Sequence, residues 1–401
     1  MNALRAAYIV DAVRSPIGKY RGALSSVRPD DLAAHVLRAY ESRVPAAYRA
    51  IDQLIFGATN QAGEDNRNVA RMAGLIAGLP YEVPAVTVNR LCGSGLEAVT
   101  DAVMRIWTGD ADVVVAGGVE SMTRAPFAFR KTEEAFSRDF PKVYDTTLGW
   151  RFENPKMAER FPLQSMGETA ENVAEKWNIG REEQDRFAKA SQEKAGKAIA
   201  GKWFDKEIVP VHVPQKKGDA LVVDKDESPR PDVTLEQLAK LPAVFRKGGS
   251  VTAGNSSPLN DGASSVLLVS EDFLKREKLE PLARVVSFAT AGVEPNLMGI
   301  GPIPAGKKAL ARAELRSSDL DLVELNEAFA AQSLACIRDL ELDPAKVNVG
   351  GGAIALGHPI GSSGARILGT LVHSLVRENR KRGMAALCIG VGQGIALVVE
   401  R

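Results

Sequence analysis

Cysteine is scarce in this chain. Three in 401 residues, an odd number, exclude a disulfide framework and point to a reducing compartment where thiols stay free. Neither sign of charge prevails: 51 Lys plus Arg stand against 50 Asp plus Glu. No basic field therefore draws the protein to nucleic acid or to an anionic membrane, and any anionic ligand must be held locally. Long apolar runs are missing as well, since none approaches the roughly 18 residues of a membrane span. The start, "MNALRAAYIVDAVRSP", lacks the features of a signal peptide, and "ALVVER" at the end carries no lipidation or retention address. A cytoplasmic protein is the expectation. The four tryptophans and the methionines form no stripe that demands a cofactor.

What is present is apolar mass, 45% of the residues, enough for a large core and two or more domains. It is organised as a weak repeat at an offset of roughly 270 residues, visible in order more than in identity. "AAYIVDAVRSP" near residue 6 is echoed by "LARVVSFATAG" near 282, and "QLIFGATN" at 53–60 by "DLVELNEA" at 321–328. "LCGSGLEAVTDAVMRI" from 91 returns as "IGSSGARILGTLVHSL" from 360, and "DVVVAGGVE" from 112 as "MAALCIGVG" from 384. Each half reads as alternating strands and helices. Leu96, Val99, Val103 and Ile106 in one helix, and Leu368, Leu371, Val372 and Leu375 in its echo, make one apolar stripe each. Such alternation predicts a layered, pseudo-symmetric α/β protein with a mainly parallel sheet covered on both faces. Residues 121–248 fit neither half and read as an inserted loop domain, richer in charge and proline. The first half then spans 1–120 plus 249–273, and the second 274–401.

Three glycine-rich turns carry the chemistry. In "TVNRLCGSGLEAV", residues 87–99, Cys92 stands between strand and helix text. Its sulfur would face a helix N-terminus, which favours thiolate over thiol; a small buried hydrophobe is the alternative. "GGGAIALGHPIGSSGAR", residues 350–366, holds six glycines and His358 at the corresponding place in the second half. Packed against its partner, that loop would bring His358 near Cys92, to take a thiol proton or donate to an oxyanion. "CIGVGQG", residues 388–394, supplies Cys388 as a second acid or base and the Gly390 N–H as an oxyanion donor. Asn326, in "ELNEAFAAQSLACI", either caps a helix or orients a water. Cys336 on that helix reads as core, and His35, His212 and His373 as structural. No metal pattern is present.

These motifs, with "GGVESMTRAP", "NEAFA" and a match running from "YIVDAVRSPIG" to "GIALVVE", resemble the thiolase family in family order. The resemblance implies a five-layered αβαβα fold and reversible thiolytic cleavage of a 3-oxoacyl-CoA through an acyl-cysteine. By that pattern Cys92 is acylated, His358 activates it, and Cys388 shuttles the second proton. Asn326 holds a water beside His358, and the N–H groups of Cys92 and Gly390 bind the acyl-enzyme oxyanion. Coenzyme A would enter as substrate over the inserted domain, with Ser257 and Ala253 at the pantetheine, Arg230 near the adenine, and Met166 and Phe329 shaping the acyl channel. Neither metal nor redox cofactor is implied, and a dimer or tetramer is.

"FSRDFPKVYDTTLGWRFENPKM" and "CIGVGQG" look most like the β-ketoadipyl-CoA branch. Ser165 stands where members specialised for acetoacetyl-CoA carry a histidine, which favours another 3-oxoacyl chain. Two rivals remain. "GSGLEA", followed by Asp110 and Asp112, approximates a dinucleotide fingerprint; a non-catalytic acyl-CoA carrier on the same fold would have no use for two thiols and a histidine at separate turns.

Overall fold

The computed structural model describes residues 5–133, 135, 136, 138 and 140–401. Nine strands run across one large sheet: β1 Ala7–Arg14, β2 Gln53–Gly57, β3 Ala85–Val88, β4 Val113–Ser121, β5 Asn260–Ser270, β6 Ala283–Gly292, β7 Leu322–Leu325, β8 Arg382–Ile389 and β9 Gln393–Glu400. The helices that cover or fill it are α1 Pro29–Arg43, α2 Val69–Ile76, α3 Ser94–Thr108, α4 Met166–Lys176, α5 Arg181–Ala200, α6 Pro302–Arg312, α7 Ala330–Asp339 and α8 Ile360–Arg377. The strand order is β7-β8-β9-β6-β1-β5-β4-β2-β3, with Gly18–Lys19 paired to β5. Apart from β3 at one end, this order is a palindrome about the β6–β1 junction, where Tyr8 pairs with Arg284 and Ile9 with Ala283. The duplication reaches into the defects: β1 has a register shift between Ile9 and Asp11, and β6 has one between Val285 and Ser287.

The sheet is mixed, which corrects the parallel expectation. Only β7–β8, β2–β3 and β2–β4 are parallel pairs; β8–β9, β9–β6, β6–β1, β1–β5 and β5–β4 are antiparallel. The cause is connectivity. Where a helix crosses over, the strands come out parallel, but β8 turns into β9 through Gly390–Gly392 as a hairpin, and β5 returns from the insertion in the opposite sense.

Period-two alternation then builds the layers. Val113, Val115, Leu54, Phe56, Leu267 and Val269 face α1 and α2. Their neighbours Val114, Ala116, Ile55, Val266 and Leu268 face inward, against α3 and α8. In the second half, Ala385, Leu387, Ile389, Leu397 and Val399 face that same inner pair of helices, while Met384, Ala386, Ala396 and Val398 face α6 and α7. The result is α, β, α, β, α, with α3 and α8 touching in the middle layer. The apolar stripes of both inner helices are fully buried. α4 and α5, between β4 and β5 in sequence, lie against the second half: Ser191 donates to Glu327 at 2.7 Å, and the Gln192 amide donates to the Ile354 carbonyl at 3.3 Å. No helix of the described residues is long and apolar enough to cross a membrane.

Candidate active site

Cys92 occupies the turn between β3 and α3. Asn89 Oδ1 accepts from Leu91 N at 2.9 Å, Ser94 Oγ accepts from Arg90 N at 2.9 Å, and Ser94 Oγ donates to Leu91 O at 2.6 Å. This local net holds Leu91 at φ +47°, a left-handed conformation that a leucine rarely adopts. The turn across from it repeats the device. Between β8 and β9, Val391 sits at φ +65°, costly for a β-branched residue. Strain at both turns fixes the direction of the backbone beside each cysteine. Arg90 ties the two together by donating to Gln393 at 3.1 Å.

Cys92 is partly exposed and opens on a cavity of about 250 Å³ that is also lined by Met166, Ile360, Gly390 and the segment 146–151. Desolvation nevertheless pushes its thiol up to about 11; the nearby Glu120 carboxylate adds to this, and the backbone N–H groups of Gly390 and of Cys92 itself oppose it. The resting residue is thus a thiol. The helix N-terminus, on which the sequence expectation of a thiolate rested, offers about 2 kcal/mol at most, less than desolvation takes away at a deeply set sulfur. Cys388 is buried, and its thiol is raised well above the ordinary cysteine value, first by desolvation and then by the sulfurs of Cys92 and Cys336. Cys336 on α7 is fully buried and pushed up to about 12 by its surroundings, with its sulfur against the Gly299 carbonyl at 3.4 Å.

His358 precedes α8. Its backbone N–H donates to Asn260 Oδ1 at 2.9 Å, Nδ1 lies 2.6 Å from Ser363 Oγ, and Nε2 lies 3.4 Å from Asn326 Nδ2. Ser363 Oγ also donates to Pro359 O at 2.9 Å. A hydroxyl has one hydrogen and the Pro359 carbonyl can only accept, so the proton between Ser363 and the imidazole belongs to Nδ1. Nε2 is then the bare, basic nitrogen. Burial, with the Arg366 guanidinium behind it, holds the ring neutral down to about 3. Asn326 is fully buried and its Oδ1 has no hydrogen-bond partner among the described residues. It does not cap α7, which starts four residues later behind Phe329.

The His358 loop is locked onto β4 and the Cys92 helix by a buried carboxylate and by close backbone approach. Glu120 Oε2 accepts from Thr59 N, Thr59 Oγ1 and Gly361 N at 3.1, 2.7 and 2.9 Å; burial raises this carboxyl to about 7. A side chain on Gly118 would collide with the Gly361 carbonyl, and one on Gly364 with Leu96 N. Asn326 N donates to Ala386 O at 2.9 Å, which fixes it beside β8, the strand that carries Cys388.

A second hollow, about 790 Å³, opens beside the insertion and is lined by Lys19, Gln192, Arg230, Ala253, Ser256 and Leu259, among others. Arg230 and Ala253 belong to it. Ser257 does not line it: its N–H donates to Ala328 O at 2.9 Å, and its neighbours Ser256 and Pro258 take the wall. Met166 joins Phe329 and Cys388 in a small apolar cluster and also reaches the Cys92 cavity, whose lining does not include Phe329. His35 and His373 contact the carbonyls of Val209 and Ala12. Among the described residues, no group of three or more His, Cys, Asp or Glu is placed to hold a metal ion. Sequence reading missed Glu120, Ser363 and Arg151. A carboxylate closing the apolar run "DVVVAGGVE" was a signal for the first; the other two carry none until their partners are brought near.

Comparison with known proteins places this geometry. Residues 7–272 match the family model "Thiolase, N-terminal domain" and residues 279–401 match "Thiolase, C-terminal domain". The 3-oxoadipyl-CoA/3-oxo-5,6-dehydrosuberyl-CoA thiolase of Escherichia coli K12 is 54% identical over 99% of this chain and 100% of its own length. A β-ketoadipyl-CoA thiolase of Acinetobacter baylyi is 52% identical over the same shares. Among solved structures, human mitochondrial 3-ketoacyl-CoA thiolase in complex with CoA superposes with a TM-score of 0.91 at 41% identity, covering 100% of this chain and 99% of the other.

Proposed function

The chain belongs to the thiolase family, and we propose that it carries out reversible thiolysis of a 3-oxoacyl-CoA bearing a distal carboxylate, of the 3-oxoadipyl type, to acetyl-CoA and a shortened acyl-CoA. The observation that carries the acyl-transfer reading is that Cys92, the one partly exposed cysteine, opens on a cavity that Gly390 also lines, where the N–H groups of both residues favour negative charge on the sulfur. Names of relatives at 52–54% identity support the dicarboxylic chain.

On this reading Cys92 gives its proton to His358 Nε2 as its sulfur attacks the 3-oxo carbon. The oxyanion forms against the Cys92 and Gly390 N–H groups. Collapse breaks the bond between the second and third carbons, and the leaving enolate of acetyl-CoA takes a proton from Cys388. Its oxygen is held by the now protonated Nε2 and by a water for which Asn326 supplies the contact; the unpartnered Oδ1 suits that task. Cys388, left as thiolate, then deprotonates the thiol of an incoming CoA. That sulfur attacks the acyl-cysteine, and the Cys92 sulfur leaves with the proton held on His358. With the imidazole neutral and the thiol un-ionised, this transfer is concerted with attack, since separating the charges first works against both surroundings.

Coenzyme A is the substrate and no other cofactor is asked for. The larger hollow, with Lys19 and Arg230 for phosphates and Ala253 and Ser256 along the pantetheine, is its proposed seat. We further propose a homo-oligomer that pairs along the partly exposed edge strand β3, near which Leu75, Ile76 and Met104 are exposed. Cys92→Ser tests the core of the proposal: thiolysis of 3-oxoadipyl-CoA should vanish while calorimetric CoA affinity holds within about threefold. Full activity in that variant refutes it.

A further inference from the structure

The wall of the cavity at Cys92 contains one cation, Arg151, and no carboxylate among the described residues. Arg151 Nη1 donates to the Thr146 carbonyl at 3.1 Å, a neutral partner, and among the described residues no carboxylate forms an ion pair with it. Arg124, by contrast, is held by Glu64. The segment that presents Arg151 is braced at both ends. Thr146 is buried and its hydroxyl accepts from Asn60 Nδ2 at 2.7 Å, while Trp150 Nε1 donates to the Gln164 carbonyl at 3.0 Å. The rest of the cavity wall is neutral, with Thr147, Leu148, Met166 and Ile360 among its residues.

From this arrangement we propose that Arg151 is the residue that selects the acyl chain, by binding a carboxylate at its far end. This deepens the thiolase reading and rests on it. In a 3-oxoadipyl chain, two methylenes separate the attacked carbonyl from the distal carboxylate. After cleavage the enzyme carries a succinyl group on Cys92, its free carboxylate reaching into the same cavity. A planar guanidinium binds a carboxylate through parallel N–H groups, and a carboxylate in this neutral cavity without it would lose its hydration for nothing. A chain that ends in methyl instead leaves the cation unpaired, so one side chain both attracts the diacid and disfavours its neutral analogue.

The test is Arg151→Gln in the full-length protein, assayed for thiolysis of 3-oxoadipyl-CoA and of 3-oxohexanoyl-CoA, which matches it in carbon count but ends in methyl. The ratio of the two kcat/KM values should fall on the order of a hundred-fold, through the diacid. An unchanged ratio overturns the assignment. Wild-type protein supplies a measurement independent of how the variant folds: at matched concentration, succinyl-CoA should acylate Cys92 faster than butyryl-CoA by intact mass, and equal or slower acylation overturns the proposal. Wild-type protein that cleaves 3-oxohexanoyl-CoA but not 3-oxoadipyl-CoA sinks the role of Arg151 and the dicarboxylic chain together while leaving the thiolase reaction standing; cleavage of neither sinks the thiolase reading as well.

Discussion

Replacing Ser363 with alanine should disable the base without touching any reacting atom. The hydroxyl accepts the Nδ1 proton at 2.6 Å and passes its own to Pro359 O at 2.9 Å, in a place where Ser363 is fully buried and His358 nearly so. Alanine leaves Nδ1–H without an acceptor, at a cost of about 1–3 kcal/mol. The ring escapes that cost by moving its proton to Nε2, which removes the lone pair that should take the Cys92 proton. If the cost appears wholly in the chemical step, kcat falls about 5- to 150-fold, with KM for CoA within about twofold. Ser363→Thr keeps the hydroxyl and should recover much of the loss. Nitrogen-15 spectra of labelled histidine give a readout that a loss of packing would not produce: bare Nε2 in the wild type, protonated Nε2 in the alanine variant. Wild-type His358 with its proton on Nε2, or Ser363→Ala with undiminished kcat, would refute the reasoning.

Other outcomes follow from the same geometry. The imidazole stays neutral down to about 3 because burial and Arg366 lower its affinity for protons. A lowered value keeps the base competent as pH falls, so kcat/KM between pH 5 and 8 should show no acid limb near 6.5; a limb there that His358→Asn abolishes would contradict it. Gly118→Ala sets a methyl against the Gly361 carbonyl, which the sheet and α8 cannot both avoid. It should cost about 3 kcal/mol, seen as a lower urea midpoint, and an unchanged midpoint would show that the loop can yield.

The repeat was legible because its four echoes kept their order, and the stripes on α3 and α8 because a helix writes its buried face at intervals of three and four. Strand sense was not. β5 reaches β1 only after the insertion, with Ala7 opposite Ser270, and nothing local to either strand records that return. The cysteines and His358 stood out as reactive types at glycine-rich turns, whereas Ser363 and Arg151 look like ordinary polar residues until folding gives one an imidazole and the other a cavity. The ionisation of Cys92 was misjudged for a related reason: a helix end is local and visible, but desolvation is the summed effect of residues from both halves.

α3 and α8 shelter one another in the middle layer, and this has a bearing on how the protein is made. On the ribosome α3 emerges about 250 residues ahead of the start of α8. At roughly 5–20 residues per second, its inward face waits on the order of tens of seconds for the helix that will cover it. Through that interval the nascent first half displays Leu96, Val99 and Val103 to solvent, a natural target for chaperone holdases. Synthesis rate, more than final stability, then sets how much of the chain escapes aggregation.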